Sequence, residues 1–208
     1  MDKSAIILAG GVSSRLGQDK GLVLLAHKPL IKHVLDATSS VVDEKIVVAS
    51  TEAQARNYMK ILGSGVRVIV DEDKLQGPLV GALTGFRKAH GKYSLLLPCD
   101  TPLVSRDVIA LLFELCINRN VTIPRWPNGY VEPLQAVYCT EPALDAAEVA
   151  LGEGHVNMQS MMDKLRGIRY VSTLVLQQLD PELATFFNVN TPLDLRKAEA
   201  MVKRKRHF

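Results

Sequence analysis

A glycine-rich segment near the start of the chain carries residue types that can bind phosphate. It reads LAGGVSSRLGQDKG, residues 8 to 21, and directly follows a short apolar run. Gly10 and Gly11 can adopt positive φ and let the backbone approach a ligand closely, so that successive N–H groups can point at phosphate oxygens. Arg15 and Lys20 supply the positive charge that balances a polyphosphate. This combination predicts a phosphate-binding loop.

The segment differs from the two common phosphate-binding motifs. It contains neither GxxxxGKS nor GxxxxGKT, which excludes a Walker A loop, and no GxGxxG, which excludes the usual dinucleotide fingerprint. Ser13 offers a further hydroxyl donor. The alternative is a solvent-exposed loop with a helix cap, since glycine, serine and aspartate are common turn formers. That alternative places Arg15 and Lys20 beside a glycine turn by coincidence, so phosphate binding is favoured.

A second reactive position lies in YSLLLPCDTPL, residues 93 to 103, where Asp100 follows a buried strand. In an open parallel sheet, ligands bind beyond the carboxyl ends of the strands, which is also where the glycine-rich segment begins. Mg²⁺ typically takes one or two carboxylates together with phosphate oxygens and waters. We therefore expect Asp100 to hold Mg²⁺ beside the phosphates. The alternative is a turn or helix-cap residue.

Two amides near the C-terminus form a third candidate group. Asn188 and Asn190 alternate along a predicted strand, so both can reach one ligand. The alternative for Asn190 is that it helps to cap the last helix. Thr191 is the predicted N-cap of that helix and Pro192 its first residue.

Apolar runs and helix-periodic stretches alternate over the first 117 residues and position these groups, whereas the second half of the chain is less regular. Runs of continuous Ile, Val and Leu are typical of strands that are buried on both faces, as in a parallel sheet covered by helices. The chain is therefore predicted to be one α/β domain over residues 1–208, with a Rossmann-like, doubly wound, mostly parallel sheet. The predicted strands are Ala5–Leu8, Lys45–Ala49, Arg67–Val70, Ser94–Leu97, Val121–Pro124, Leu134–Tyr138 and Ile168–Val171. The predicted helices are Pro29–Ala37, Glu52–Leu62, Leu79–Ala89, Asp107–Ile117, Pro142–Ala150, Gln159–Leu165 and a last helix that Thr191-Pro192 opens.

Composition limits the kinds of partner. A formal net charge of +3 is too slight to indicate nucleic-acid binding. The three cysteines are widely spaced and odd in number, which predicts neither a disulfide framework nor a zinc site. No segment resembles a signal peptide or a membrane span, so we expect a cytoplasmic protein. The basic run at residues 203–206 could bind a partner, but a solvated helix end is favoured.

Five motifs, taken together in chain order, resemble the molybdenum cofactor guanylyltransferases, also described as the molybdopterin-guanine dinucleotide biosynthesis protein A family. They are LAGG with SSR and GQDK, QGPLVG in place of PGPLAG, PCDTPL, PLQAVY and FFNVNTP, spanning residues 8 to 192. The resemblance implies a fold of the nucleotide-diphospho-sugar transferase type. It also implies transfer of GMP from GTP to the phosphate of molybdenum-molybdopterin, with Mg²⁺ as cofactor and pyrophosphate as the leaving group. Contact with molybdenum-insertion proteins or molybdoenzymes is a further implication.

The resemblance adds residues to those that the pattern alone indicates. Asp71 enters the nucleotide site through it alone, since a solvated turn acid is the other interpretation, and Gly77 is expected to turn beneath the base. The expected catalytic residues are Arg15, Lys20 and Asp100, and Asn188 and Asn190 are expected to bind the acceptor. The expected nucleotide-binding residues are Leu8, Ala9, Gly10, Gly11, Ser13, Arg15, Lys20, Asp71, Gly77 and Asp100.

Other functions stay open at the level of sequence. The enzymatic alternative is guanylyl or cytidylyl transfer to another phosphorylated molecule, such as cobinamide phosphate, a terpenoid precursor, or molybdopterin in a cytidylyl transfer. The non-enzymatic alternative is a nucleotide-binding regulatory protein that has lost catalysis. Lys20, Asp100 and Asn190 argue against the second.

Overall fold

The structure is a computed structural model that describes residues 2–10, 12–13, 18–71 and 75–205. Two predicted site residues, Gly11 and Arg15, lie outside the described residues, as does the side chain of Ser13.

Within the described residues, a seven-stranded mixed sheet forms the centre of the molecule. Its strands are β1 (Lys3–Leu8), β2 (Glu44–Ala49), β3 (Arg67–Val70), β4 (Tyr93–Pro98), β5 (Val121–Arg125), β6 (Ala136–Cys139) and β7 (Ile168–Ser172). Their order across the sheet is β7-β5-β6-β4-β1-β2-β3. Strand β6 runs antiparallel to β4 and β5, and the other pairs are parallel. The predicted Rossmann-like, mostly parallel sheet is confirmed.

Helices cover both faces of this sheet because successive strand residues point to opposite sides. The helices are α1 (Leu30–Thr38), α2 (Glu52–Ile61), α3 (Pro78–Lys88), α4 (Arg106–Cys116), α5 (Thr140–Gly152), α6 (Met158–Met162), α7 (Thr173–Leu176) and α8 (Pro192–Lys205). Ile7 packs in one core cluster with residues of α1, α2 and α4, whereas Ile6 packs in the other with α3, α5 and α6. Among the described residues, no helix combines the length and the apolar character needed to span a membrane.

The region before α8 differs from the prediction. Residues 187–190 form no regular strand, so the expectation that Asn188 and Asn190 share a strand face is wrong. Instead, the Val189 N–H donates to the Asp100 carbonyl at 2.8 Å, which holds this segment against the loop after β4. Val189 is buried in an apolar cluster while Asn188 is exposed, so burial of Val189 and this one backbone hydrogen bond hold the segment in place of a strand ladder.

The N-cap of α8 follows the prediction. Thr191 Oγ1 accepts from the Asp194 N–H at 3.2 Å, while an Asp194 carboxylate oxygen accepts from the Thr191 N–H at 2.9 Å. This reciprocal pair satisfies N–H groups that a helix terminus leaves without partners. Thr191 therefore caps α8, and the Asn190 side chain is left for another contact.

Candidate active site

A cleft of about 880 Å³ opens at the carboxyl edge of the sheet. Strands β1 to β4 all end there, as expected for ligand binding in an open parallel sheet. The residues that line it at or just after the strand ends are Leu8, Gly10, Val48, Ala49, Ser50, Thr51, Asp71, Pro98, Cys99 and Asp100. Those contributed by other segments are Asp19, Lys20, Gln54, Asn57, Leu75, Gln76, Gly77, Pro78, Gly81 and Leu134.

Three distant parts of the chain meet at one ammonium group in this region. Lys20 Nζ donates to Asp100 Oδ2 at 3.0 Å and to Asn190 Oδ1 at 2.5 Å. The Lys20 side chain is 26% exposed and that of Asp100 is 13% exposed, so both remain accessible from the cleft. A half-buried cation and carboxylate at the strand ends form a site that can exchange contacts with an anionic ligand.

Local structure explains why each of these groups points to the same place. Lys20 begins a short 3₁₀ helix, Lys20–Leu22, whose N-cap is Asp19; the Asp19 carboxylate accepts from the Gly21 N–H at 3.0 Å. Asp100 follows β4 directly, and the Cys99 N–H donates to the Leu8 carbonyl at 3.0 Å, which ties the ends of β4 and β1 together.

Asp71 occupies the end of β3 in a half-buried position. Its backbone N–H donates to the Ala49 carbonyl at 2.8 Å, and its carboxylate accepts from Thr84 Oγ1 of α3 at 2.8 Å. A Cβ added at Gly81 would lie 3.9 Å from an Asp71 carboxylate oxygen. The carboxylate is therefore built into the cleft wall between β3 and α3, which differs from a fully solvated turn acid.

Gly77 lines the cleft and turns the chain into α3. A Cβ at this position would lie 2.6 Å from the Val156 carbonyl oxygen, too close for any other residue without a shift of backbone. The same carbonyl accepts from the Leu79 N–H at 3.3 Å and so supplies a partner at the start of the helix.

Cys99 lies beside Asp100 but is not a candidate nucleophile. It is almost fully buried, and burial together with the neighbouring Asp100 charge raises the pKa of its thiol above the ordinary value of 9.0. A thiol that stays protonated at neutral pH is inert as a nucleophile.

The donor set is compatible with a divalent cation that is bound mainly through a ligand's phosphates. Among the described residues, no cluster of three or more His, Cys, Asp or Glu side chains forms an all-protein metal cage. The Asp100 carboxylate and the Asn190 amide oxygen nevertheless converge on one cationic group, the Lys20 ammonium. One carboxylate with phosphate oxygens and waters is the arrangement that Mg²⁺ commonly takes.

The structure places most of the remaining predicted residues around this cleft. Leu8 and Gly10 line it directly, whereas Ala9 is 1% exposed and its carbonyl accepts from Gln54 Nε2 at 2.8 Å. Asn188 is exposed and makes no contact resembling that of Asn190 among the described hydrogen bonds. The contact of Gln54 with Ala9 is not predictable from the sequence, because a glutamine on a polar helix gives no signal of its own.

Comparison with known proteins gives a consistent result. Residues 5–168 match the family model of the MobA-like NTP transferase domain. The chain is 34% identical over 202 residues to a molybdenum cofactor guanylyltransferase of Desulfosudis oleivorans, which covers 96% of each chain. It is 30% identical over 208 residues to a probable molybdenum cofactor guanylyltransferase of Methanosarcina mazei, covering 98% of this chain and 92% of the relative.

A solved structure extends this likeness to the whole fold. It is molybdopterin-guanine dinucleotide biosynthesis protein A from Archaeoglobus fulgidus, with a TM-score of 0.82 and 30% identity over 97% of this chain and 99% of that one. The expected fold of the nucleotide-diphospho-sugar transferase type is thereby confirmed. Since the family model covers most of the chain and two relatives match nearly all of it, the chain belongs to the MobA-like NTP transferase family.

Proposed function

We propose that this protein transfers GMP from GTP to the phosphate of molybdenum-molybdopterin, releasing pyrophosphate and forming molybdopterin guanine dinucleotide. The observation that carries the proposal is the contact of Lys20 with Asp100 and Asn190 at the carboxyl edge of the sheet. It occurs in a chain whose relatives are named for this guanylyl transfer.

In this proposal, the glycine-rich segment and Lys20 bind the polyphosphate of GTP. The Lys20 ammonium is half-buried, so its attraction to phosphate is less screened by water than at an exposed site. Gly10 presents backbone to the ligand, and Arg15 adds a second cation. Gly77 and Asp71, which also line the cleft, would contact the nucleoside, where Asp71 offers an acceptor oriented by Thr84.

Asp100, with Asn190 beside it, would hold the Mg²⁺ that accompanies the nucleotide. When bound, the cation supplies neutralisation of negative charge on the reacting phosphates. Lys20 would then exchange its contact with Asp100 for a contact with the phosphates.

The chain need not supply a general base. A phosphomonoester is already largely dianionic near neutral pH, and no histidine lines the described part of the cleft. Catalysis therefore depends on holding the acceptor phosphate in line with the α-phosphorus and on stabilising the charge on the phosphates.

The acceptor would lie toward the loop between β5 and β6. Trp126 Nε1 donates to Glu132 Oε1 at 2.7 Å, and the Trp126 ring packs edge-on against Phe186 with ring centroids 5.6 Å apart. These contacts fix the loop to the segment that carries Asn188 and Asn190. Both amides and residues 126–132 are therefore our proposed acceptor surface.

Nucleotide selection provides the test of this proposal. A ligand that binds only the folded state raises the midpoint of thermal unfolding, so GTP with Mg²⁺ should raise it more than CTP, ATP or UTP with Mg²⁺. Calorimetric titration under the same conditions checks the ranking. A larger effect of CTP would replace guanylyl by cytidylyl transfer, and equal effects of all four nucleotides would contradict guanine selection.

A further inference from the structure

Two side chains one turn apart on α2, Gln54 and Tyr58, reach the two ends of the glycine-rich segment. Gln54 Nε2 donates to the Ala9 carbonyl at 2.8 Å, while Gln54 Oε1 accepts from the Ser50 N–H at 2.9 Å. Both polar atoms of this amide are therefore engaged in holding backbone at the ends of β1 and β2. An amide with its donor and acceptor both satisfied has a fixed orientation.

Tyr58 makes the corresponding contact at the other end of the segment. Its hydroxyl donates to Asp19 Oδ1 at 2.5 Å, and the same oxygen accepts from the Gly21 N–H at 3.0 Å. The tyrosine is fully buried, and this burial raises the pKa of its hydroxyl above the ordinary value of 10.0. The hydroxyl is therefore protonated at neutral pH and can donate to Asp19.

The fit between Tyr58 and the turn at Gly21 is close. A Cβ added at Gly21 would lie 2.4 Å from the Tyr58 hydroxyl oxygen and 3.1 Å from its ring. The turn that begins at Asp19 thus packs directly on the tyrosine, and Lys20 lies between these two contact points. The position of the Lys20 backbone is set by the residues on either side of it.

We propose that Tyr58 and Gln54 are positioning residues for the nucleotide site, acting from α2 on opposite ends of the glycine-rich segment. Tyr58 acts through Asp19 on Lys20, and Gln54 acts through the Ala9 carbonyl on Gly10. This inference rests on the proposed function, since it concerns how the residues that bind GTP are held. Tyr58 itself touches no ligand in this arrangement.

A double-mutant cycle with Tyr58→Phe and Lys20→Ala tests the first half. Tyr58→Phe removes one hydroxyl and should raise the Kd for GTP·Mg²⁺ about tenfold, which corresponds to about 1.4 kcal/mol. In the Lys20→Ala background the same change should alter the Kd by less than about twofold, because its effect passes through Lys20. An effect of equal size in both backgrounds would overturn the inference.

Tyr138→Phe is the matched control. Tyr138 is also fully buried and its hydroxyl donates to a backbone oxygen, that of Pro133, at 2.6 Å. The control should lose comparable stability while keeping the wild-type Kd for GTP·Mg²⁺. If both tyrosine variants weakened GTP binding equally, Tyr58 would have only a structural role and the inference would fail.

Gln54→Met tests the second half, since methionine keeps the length of the side chain and removes both hydrogen-bonding groups. The Kd for GTP·Mg²⁺ should rise about tenfold, and it should rise by the same factor in the Lys20→Ala background, because Gln54 acts at the other end. An unchanged Kd would overturn the role of Gln54. A wild-type protein that did not bind GTP would instead overturn the proposed function, and this inference with it.

Discussion

Lys20 and Asp100 form an ion pair whose value to the folded state is small. The pair is partly exposed, and such pairs typically contribute about 0–1 kcal/mol because water screens the attraction and two side chains lose freedom. Stability alone does not explain why the Asn190 side chain also accepts a hydrogen bond from the Lys20 ammonium. The arrangement is better explained by a site in which a cation and a carboxylate are kept ready for a charged ligand.

Lys20→Ala should therefore weaken nucleotide binding without unfolding the protein. Loss of a charge-assisted contact costs about 1.5–3 kcal/mol, so the Kd for GTP·Mg²⁺ should rise by about 10- to 150-fold. Lys28→Ala is the control, since Lys28 pairs with Asp36 on the surface. Calorimetric titration measures the Kd for GTP·Mg²⁺ of both variants. Equal GTP affinity in the two would place Lys20 outside the site.

Asp100→Asn separates a metal ligand from a turn residue. Asparagine keeps the size of the side chain and caps a turn about as well as aspartate, but it lacks the negative charge. Turnover should fall at least about a hundredfold, as for loss of one strong transition-state contact, with the apo melting temperature little changed. Steady-state turnover is measured alongside thermal unfolding, with Asp36→Asn as the control. Near wild-type turnover would contradict the metal role, and an unfolded variant would show a structural one.

The two ends of the strands have different roles. The carboxyl ends line the cleft, whereas at the amino ends Glu44 of β2 connects several elements through hydrogen bonds. Its buried carboxylate accepts from Ser4 Oγ at 2.7 Å, from the His90 N–H at 2.9 Å and from Arg67. Burial raises the pKa of Glu44, but these hydrogen bonds outweigh burial and bring the pKa below its ordinary value of 4.5.

Glu44→Gln should consequently affect stability and leave the chemistry alone. The free energy of unfolding at pH 7 should fall by about 1.5–3 kcal/mol, the range for hydrogen bonds to a charged group. Because the folded-state pKa is lowered, this contribution is fully present above pH 4.5 and is lost as the pH falls through the folded-state value. Denaturant unfolding at pH 7 and at acidic pH checks both points. A large loss of GTP affinity at neutral pH would contradict the division between a stabilising role at the amino ends of the strands and a binding role at their carboxyl ends.

The same elements show what the sequence could and could not predict. Strands such as β1 and β4 are apolar on both faces, so their existence followed from composition within one or two residues. The antiparallel direction of β6 could not be predicted, since a run such as Ala136–Cys139 carries no signal for antiparallel pairing. The strand predicted around Asn188 and Asn190 is not formed. The alternation of polar and apolar residues there reflects the burial of Val189 alone and not the pairing of a strand.

The site was predictable where residue types are unusual and not where they are ordinary. Asp100 stood out because a carboxylate follows an apolar strand, and Lys20 stood out because a cation lies in a glycine-rich segment. Tyr58 was not distinguishable from a core aromatic residue, since its hydroxyl bond to Asp19 exists only once α2 packs against the turn at Asp19 and Gly21.

At the scale of the whole molecule, the cleft lies where the strand order reverses. From β1 the chain adds β2 and β3 on one side, and it then returns through α3 to place β4 on the other side of β1. The crevice at the carboxyl ends of β1 and β4 is thus a topological switch point, the usual ligand site of such sheets. The later strands and α8 bring Asn190 to this same point.

The most direct measurement follows the two ends of the triphosphate during a reaction with molybdenum-molybdopterin and Mg²⁺. With GTP labelled at the α-phosphate, the label should appear in the pterin product, and with GTP labelled at the γ-phosphate it should appear in pyrophosphate, in equal amounts. CTP in place of GTP should give neither product at a comparable rate. Orthophosphate from the γ-label, with no α-label on the pterin, would contradict guanylyl transfer as the function of this protein.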